Sequence, residues 1–269
     1  GVDTDQAWPR LLEGMLETRL ETRGVEVLNF AITGYGPNQF VAVLKEYGPQ
    51  YRPDLILVGF FVNEYFDVLV SDDEVRRSIG FQSTAQESLR GYLEAIHLRK
   101  WLTLRVGQPV RELLSRSPRS HGYFLGNFAS LETGSGGITE TGRELVELRL
   151  AETARLAQQI DAKLLLLLIP APVQICGPDS LRYFPRVVNI SDGSRFDMNR
   201  PQKITEQIAG ELGLVTYDFR GPLRALDTCP YQPRNMHWLA AGHEAVAEYM
   251  CQMLIRDGHV TSLPVTQGD

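Results

Sequence analysis

Two stretches of unbroken apolar residues constrain this chain most: Leu-Ile-Leu-Val-Gly-Phe-Phe at 55–61 and Leu-Leu-Leu-Leu-Leu-Ile at 164–169, the second ending at Pro170. A strand with one wet face alternates apolar and polar residues, whereas a strand covered on both faces does not need to. Both runs are too short to cross a bilayer and are bounded by polar or proline-containing segments. They predict central strands of a parallel sheet with helices on both sides. The hydrophobic share of 43% over 269 residues is enough to build such a core in one large domain.

Helical spacing fills the intervals. Trp8, Leu11, Leu12, Met15 and Leu16 mark a first helix, capped by Thr4 or Asp5 and stopped at Arg23-Gly24. Val25 to Phe30 reads as a short strand, and a helix from about Gln39 to Tyr47 stops at Gly48-Pro49. Thr141 with Glu144 reads as a capping box for a helix to Ile160. Further on come a helix at 204–212, a strand within Leu214–Phe219, and a last helix at 241–255. This alternation predicts an α/β three-layer sandwich of the flavodoxin-like kind, with right-handed crossovers and the active edge beyond the carboxyl ends of the strands. The whole of 1–269 reads as one domain, in which 71–140 is an insertion over the site with a helix around Tyr92 to Leu104, and 171–200 is a second long loop.

The formal charge of −6 and the lack of clustered Lys and Arg argue against a nucleic-acid partner. Cys176, Cys229 and Cys251 are odd in number and widely spaced, which fits neither a zinc pattern nor a complete disulfide framework. No transmembrane segment is expected, and the residues do not fix the oligomeric state. The start at Gly1, with a helix almost at once, reads as a chain cut at its N-terminus.

Chemistry points to three strand ends. His237, in "RNMHWLAAGH", lies on the loop before the final helix and can serve as a general base. His243, inside that helix, reads as structural. Asn63, just beyond the run at 55–61, can offer amide donors to a developing oxyanion, and Gly34 in "TGYGPN" can bring a backbone N–H to the same point. Ser135, Ser191 and Ser194 lie in long loops, away from any strand-to-helix turn that would present a nucleophile.

In this order the segments resemble the SGNH hydrolases, the GDSL-type esterases and lipases. "LNFAITGYG" is similar to the family's second block through Gly34, "GFFVNEYFD" to its third through Asn63, and "NMHWLAAGH" to its fourth through His237. The resemblance implies an acyl hydrolase of small or carbohydrate O-acyl esters that needs no metal or organic cofactor. It implies Gly34 and Asn63 in the oxyanion hole and His237 as the base. Because many relatives are exported, it also leans the chain toward the cell envelope or exterior.

Three departures stand out. No Gly-Asp-Ser occurs in the chain, so the first strand and its serine are expected upstream of Gly1, leaving the sheet one strand short. The position of the orienting acid is Asn235, with Arg234 before it, and Asn cannot stabilise an imidazolium as a charge does. A backbone carbonyl or Asp227 is an alternative that the residues leave open. Glu64 replaces the usual Asp and is expected to keep its charge with little consequence, while Asp67 is placed to help fix that loop. Two other outcomes stay open beside the esterase: a polysaccharide O-acetyltransferase, and a carbohydrate- or partner-binding module that has lost catalysis.

Overall fold

In the computed structural model, the described residues are 2–22, 24–32, 35–69, 129–134, 137–182, 184, 188–233 and 236–261. The helix expected around Tyr92 to Leu104 lies outside them, as does most of the segment read as an insertion.

Three parallel strands form the sheet in the order β1 (Leu55–Phe61), β2 (Lys163–Ile169), β3 (Val215–Asp218). Leu57 faces Leu165 across the β1–β2 pair, and Leu167 faces Tyr217 across β2–β3. The central position of β2 explains its composition: Leu165, Leu166 and Leu167 are fully buried, because both faces of this strand are covered.

Alternate leucines of β2 serve two cores. Leu165 and Leu167 pack with Leu12 and Leu16 of α1 (Trp8–Arg19) and with Val246 and Met250 of the last helix, α8 (Ala240–Arg256). Leu164, Leu166 and Leu168 pack on the opposite face. Their partners there include Leu44 of α2 (Pro37–Tyr51), Val146 and Leu150 of α4 (Glu140–Gln159), and Ile208 of α6 (Arg200–Glu211). The result is an α/β sandwich of three layers, with the sheet between two sets of helices. Between α2 and α4 lies the short helix α3 (Glu64–Asp67); α5 (Pro172–Ile175) and α7 (Arg220–Arg224) follow β2 and β3. No helix among the described residues is long and apolar enough to cross a membrane.

Several local readings change. The segment expected to be a strand at Val25 to Phe30 is extended, but it joins no ladder among the described residues. Side chains take some of its backbone donors: Val27 N–H donates to Glu13 Oε2 at 2.8 Å, and Ala31 N–H donates to Asn29 Oδ1 at 3.0 Å. The segment links α1 on one face of the sheet to α2 on the other. Among the described residues β1 is paired with β2 alone.

The second helix does not stop at Gly48-Pro49 but runs on to Tyr51, where Arg52 turns left-handed at φ 43°. Pro49 falls in the last turn, where it removes the N–H that would bond to the Lys45 carbonyl, and the helix ends two residues later. The cap of α4 is Thr139 rather than Thr141; its hydroxyl accepts the Gly142 N–H at 3.1 Å.

The cysteine reading also changes. Cys176 and Cys229 form a disulfide across 53 positions, with Cα atoms 5.5 Å apart, and Cys251 is left as a buried free thiol. Spacing alone could not pair them, because the fold brings the end of α5 beside the loop that follows α7.

Candidate active site

The sheet's carboxyl edge is where strand ends give way to loops, and it collects most of the polar residues of interest. β1 ends at Phe61, and Asn63 follows two positions later as the residue preceding α3. Buried Tyr65 fixes α3 in place, with its hydroxyl 2.7 Å from Thr205 Oγ1 in α6. The α4 backbone closes on the other side: a methyl group on Gly142 would lie 2.5 Å from the Tyr65 carbonyl oxygen. This tight contact leaves Asn63 on a rigid turn.

Asn63 Nδ2 donates to Asp67 Oδ2 at 2.7 Å. Since an ionised carboxylate can only accept, this bond assigns which end of the amide is NH2. Asp67 thus performs the loop-fixing role expected of it. Glu64 departs from expectation. It is 4% exposed, and its Oε2 has no hydrogen-bond partner. Burial, and secondarily the neighbouring Asp67 charge, lift its carboxyl well above the usual carboxylate range, with the Phe61 backbone N–H acting weakly in the other direction. Burial therefore works against the charge expected at this position.

On the far side of the sheet, the chain leaving α7 forms a small hairpin before α8. Tyr231 and Trp238 pair across it in antiparallel fashion, and Gln232 N–H donates to the His237 carbonyl at 2.9 Å. This hairpin carries His237. It is bound to the segment after β2 by several independent ties. Tyr231 Oη donates to the Pro170 carbonyl at 2.7 Å, and Arg182 N–H to the Pro233 carbonyl at 2.7 Å. Arg224 donates to the Gln174 carbonyl, with Nη2 at 2.8 Å, and the Cys176–Cys229 disulfide lies among these contacts.

His243 serves as a joint between helices, as expected of it. Its Nδ1 accepts the Trp8 N–H at 3.4 Å, and its ring meets Trp238 edge-on at 5.5 Å. Burial, and then the nearby His237, lower its basicity. The Trp238 indole N–H is buried with no partner among the described contacts.

Asn63 follows β1 and His237 lies between β3 and α8, both toward the strands' carboxyl ends. Gly34 and Asn235 lie outside the described residues, so the other two expected site positions have no geometry to set beside these. The signal that sequence reasoning missed is Glu64. An acidic residue inside "FFVNEYF", flanked by aromatic and aliphatic neighbours, is a pattern that points to burial.

No protein-family model and no curated protein matches this chain. Among solved structures, it is similar to that of a catalytic mutant of Axe2, an acetylxylan esterase from Geobacillus stearothermophilus. The identity is 13% and the TM-score 0.49, over 91% of this chain and 80% of that one.

Proposed function

We propose that this protein is a serine acyl hydrolase acting on small or carbohydrate O-acyl esters, built as an SGNH-type site. The observation that carries this reading is the Asn63 amide, fixed by Asp67 at 2.7 Å just beyond the carboxyl end of β1. An uncharged donor held rigid beyond a strand end is suited to receive an oxyanion. The order of the Gly34, Asn63 and His237 segments along the chain supports the same reading.

In this scheme a serine hydroxyl attacks the acyl carbonyl while His237 takes its proton. The Asn63 amide and the Gly34 N–H hold the resulting oxyanion, and His237 returns the proton to the leaving alcohol. His237 then draws a proton from water to release the acid. No Gly-Asp-Ser occurs in residues 1–269, so the serine this scheme requires is the one that labelling has to identify. The chemistry calls for no metal or organic cofactor. The Cys176–Cys229 bond supports an oxidising, extracytoplasmic setting.

A second reading is favoured by one residue, Asn235. With an amide where the orienting carboxylate would stand, the same fold can persist as a carbohydrate- or partner-binding module. An acyltransferase that passes the acyl group to a sugar hydroxyl differs only in its acceptor. Fluorophosphonate labelling with peptide mapping, on the protein at its native length, separates these readings. Label on a serine, lost in His237→Ala, supports the hydrolase or transferase; a folded protein that takes no label is the binding module.

A further inference from the structure

Two carboxyl groups flank Asn63 in very different surroundings. Glu64 is buried, with an oxygen that meets no donor among the described residues, while Asp67 reaches the surface and accepts the Asn63 amide, although partial burial raises its carboxyl too. They sit close together, because a methyl group on Gly36 would lie 2.8 Å from Glu64 Oε2 and 3.3 Å from Asp67 Cβ. Gly36 is needed here for that approach alone, and its N–H is already taken by Gln39 Oε1 at 2.9 Å.

The groups facing this pair come from three elements. From β1, the Phe61 backbone N–H acts weakly on Glu64. From α2, Gln39 is neutral and Asn38 accepts from Arg149. From α4, Arg149 is spent on Asn38 and Glu152, and the charge of Arg143 acts on Tyr65. Asp67 is the charged group that acts on Glu64, and it has the same sign. A buried carboxyl that meets no cation among the described residues and has a like charge nearby favours its protonated form.

We propose that Glu64 holds the single proton of this pair and is a positioning residue for Asn63, leaving Asp67 as the ionised acceptor that fixes the amide. The two ends of an amide have nearly the same shape, so only the partner decides which end faces it. An ionised Asp67 accepts and demands Nδ2. A protonated Asp67 could donate to Oδ1 and let the amide turn round. Ionising Glu64 as well would put a second negative charge beside Asn63, which would raise the proton affinity of Asp67 and oppose any anion gathered there. Pairs of carboxyl groups divided in this way, one buried and neutral and one solvated and charged, are a general route to assigning roles.

The catalytic consequence rests on the proposed hydrolase, but the charge state does not, and the two are tested separately. The first arm is NMR of the carboxyl carbon of Glu64 and the side-chain amide of Asn63, with thermal unfolding followed from about pH 4 to about pH 9. At neutral pH the Glu64 carbon should show the protonated shift, and Asn63 a single amide environment. In Asp67→Asn the Asn63 signals should double or broaden.

The sign of the linkage is fixed by the direction of the shift. With the folded value above 4.5, native Glu64 keeps a proton that the unfolded chain releases. Stability is then complete below 4.5 and falls as pH rises toward the folded value. Glu64→Gln should therefore melt higher than the native protein at neutral and alkaline pH, with the gain vanishing in acid. An ordinary carboxylate titration for Glu64, or a Gln gain that is equal at all pH values, overturns the proposal even if one variant fails to fold.

The second arm is the alkaline side of the kcat profile for aryl acetate hydrolysis. Turnover should fall about tenfold as Glu64 ionises, and that fall should be absent in Glu64→Gln. No turnover by the folded protein at its native length defeats the hydrolase reading and leaves the NMR result to decide the proton's place. Turnover with the same alkaline fall in both proteins overturns the positioning role.

Discussion

Cys176, at the end of α5, is bonded to Cys229, eight residues before His237. The bond closes a loop that includes α6 and β3, so its main effect is on the unfolded chain, and closing 53 residues restricts that chain by about 4 kcal/mol. Three hydrogen bonds tie the same two segments, so the hairpin should keep its place partly without it. Cys229→Ser should lower stability by about 2–4 kcal/mol. Hydrogen exchange should quicken in residues 224–238 while β1 and β2 stay protected. Uniform loss of protection across the sheet would contradict this.

Gly142 offers a test in which two known effects oppose. Alanine is a better helix former than glycine by about 1 kcal/mol, and position 142 is in the first turn of α4. The added methyl would meet the Tyr65 carbonyl oxygen at 2.5 Å, and backbone cannot swing aside as a side chain can. Overpacking of this kind costs about 1–3 kcal/mol. Gly142→Ala should therefore destabilise the protein in chemical denaturation, and it should disturb the Asn63 amide signals, because Tyr65 lies in the same short helix.

How much of this was legible in the sequence depended on how local each cause is. Leu164 to Leu168 announced a central strand because burial on both faces leaves its mark on every residue. Val25 to Phe30 is only mostly apolar, with Glu26 and Asn29 in it, and strand formation also needs a partner's backbone, which no window of sequence locates. Asn63 was readable from its place just after a buried run. The proton on Glu64 was not, because it depends on Gly36 and Asp67 closing over it, and Gly36 is distant in the chain. The disulfide was hidden for the same reason: three cysteines allow three pairings, and only the fold chooses.

His243 should make the protein lose stability in mild acid. Its Nδ1 accepts the Trp8 N–H, which requires that nitrogen to be unprotonated. Burial, with help from His237, holds its folded value below 6.5. The unfolded chain therefore binds the proton first, and stability present above 6.5 is lost as pH falls from there toward the lowered value. His243→Gln, which keeps an acceptor that does not titrate, should flatten the melting temperature over this range. An unchanged slope would place the acid sensitivity elsewhere.

The last prediction concerns Asn235, where the proposed triad departs from a carboxylate. An amide oxygen can orient the His237 ring, but it cannot offset the charge that forms when His237 takes the serine proton. If the protein is a weakened hydrolase, Asn235→Asp should raise kcat for aryl acetates by at least about tenfold with little change in KM, because the added charge acts only once the imidazolium develops. The same substitution should also shift the His237 ring resonances, which NMR would follow without any need for turnover. Shifted ring resonances with no gain in hydrolysis would mean that the carboxylate reaches the ring but there is no acyl transfer to assist, which is the outcome expected of a binding module. A gain in kcat abolished by His237→Ala would identify the histidine as the base and Asn235 as the residue that holds the native rate down.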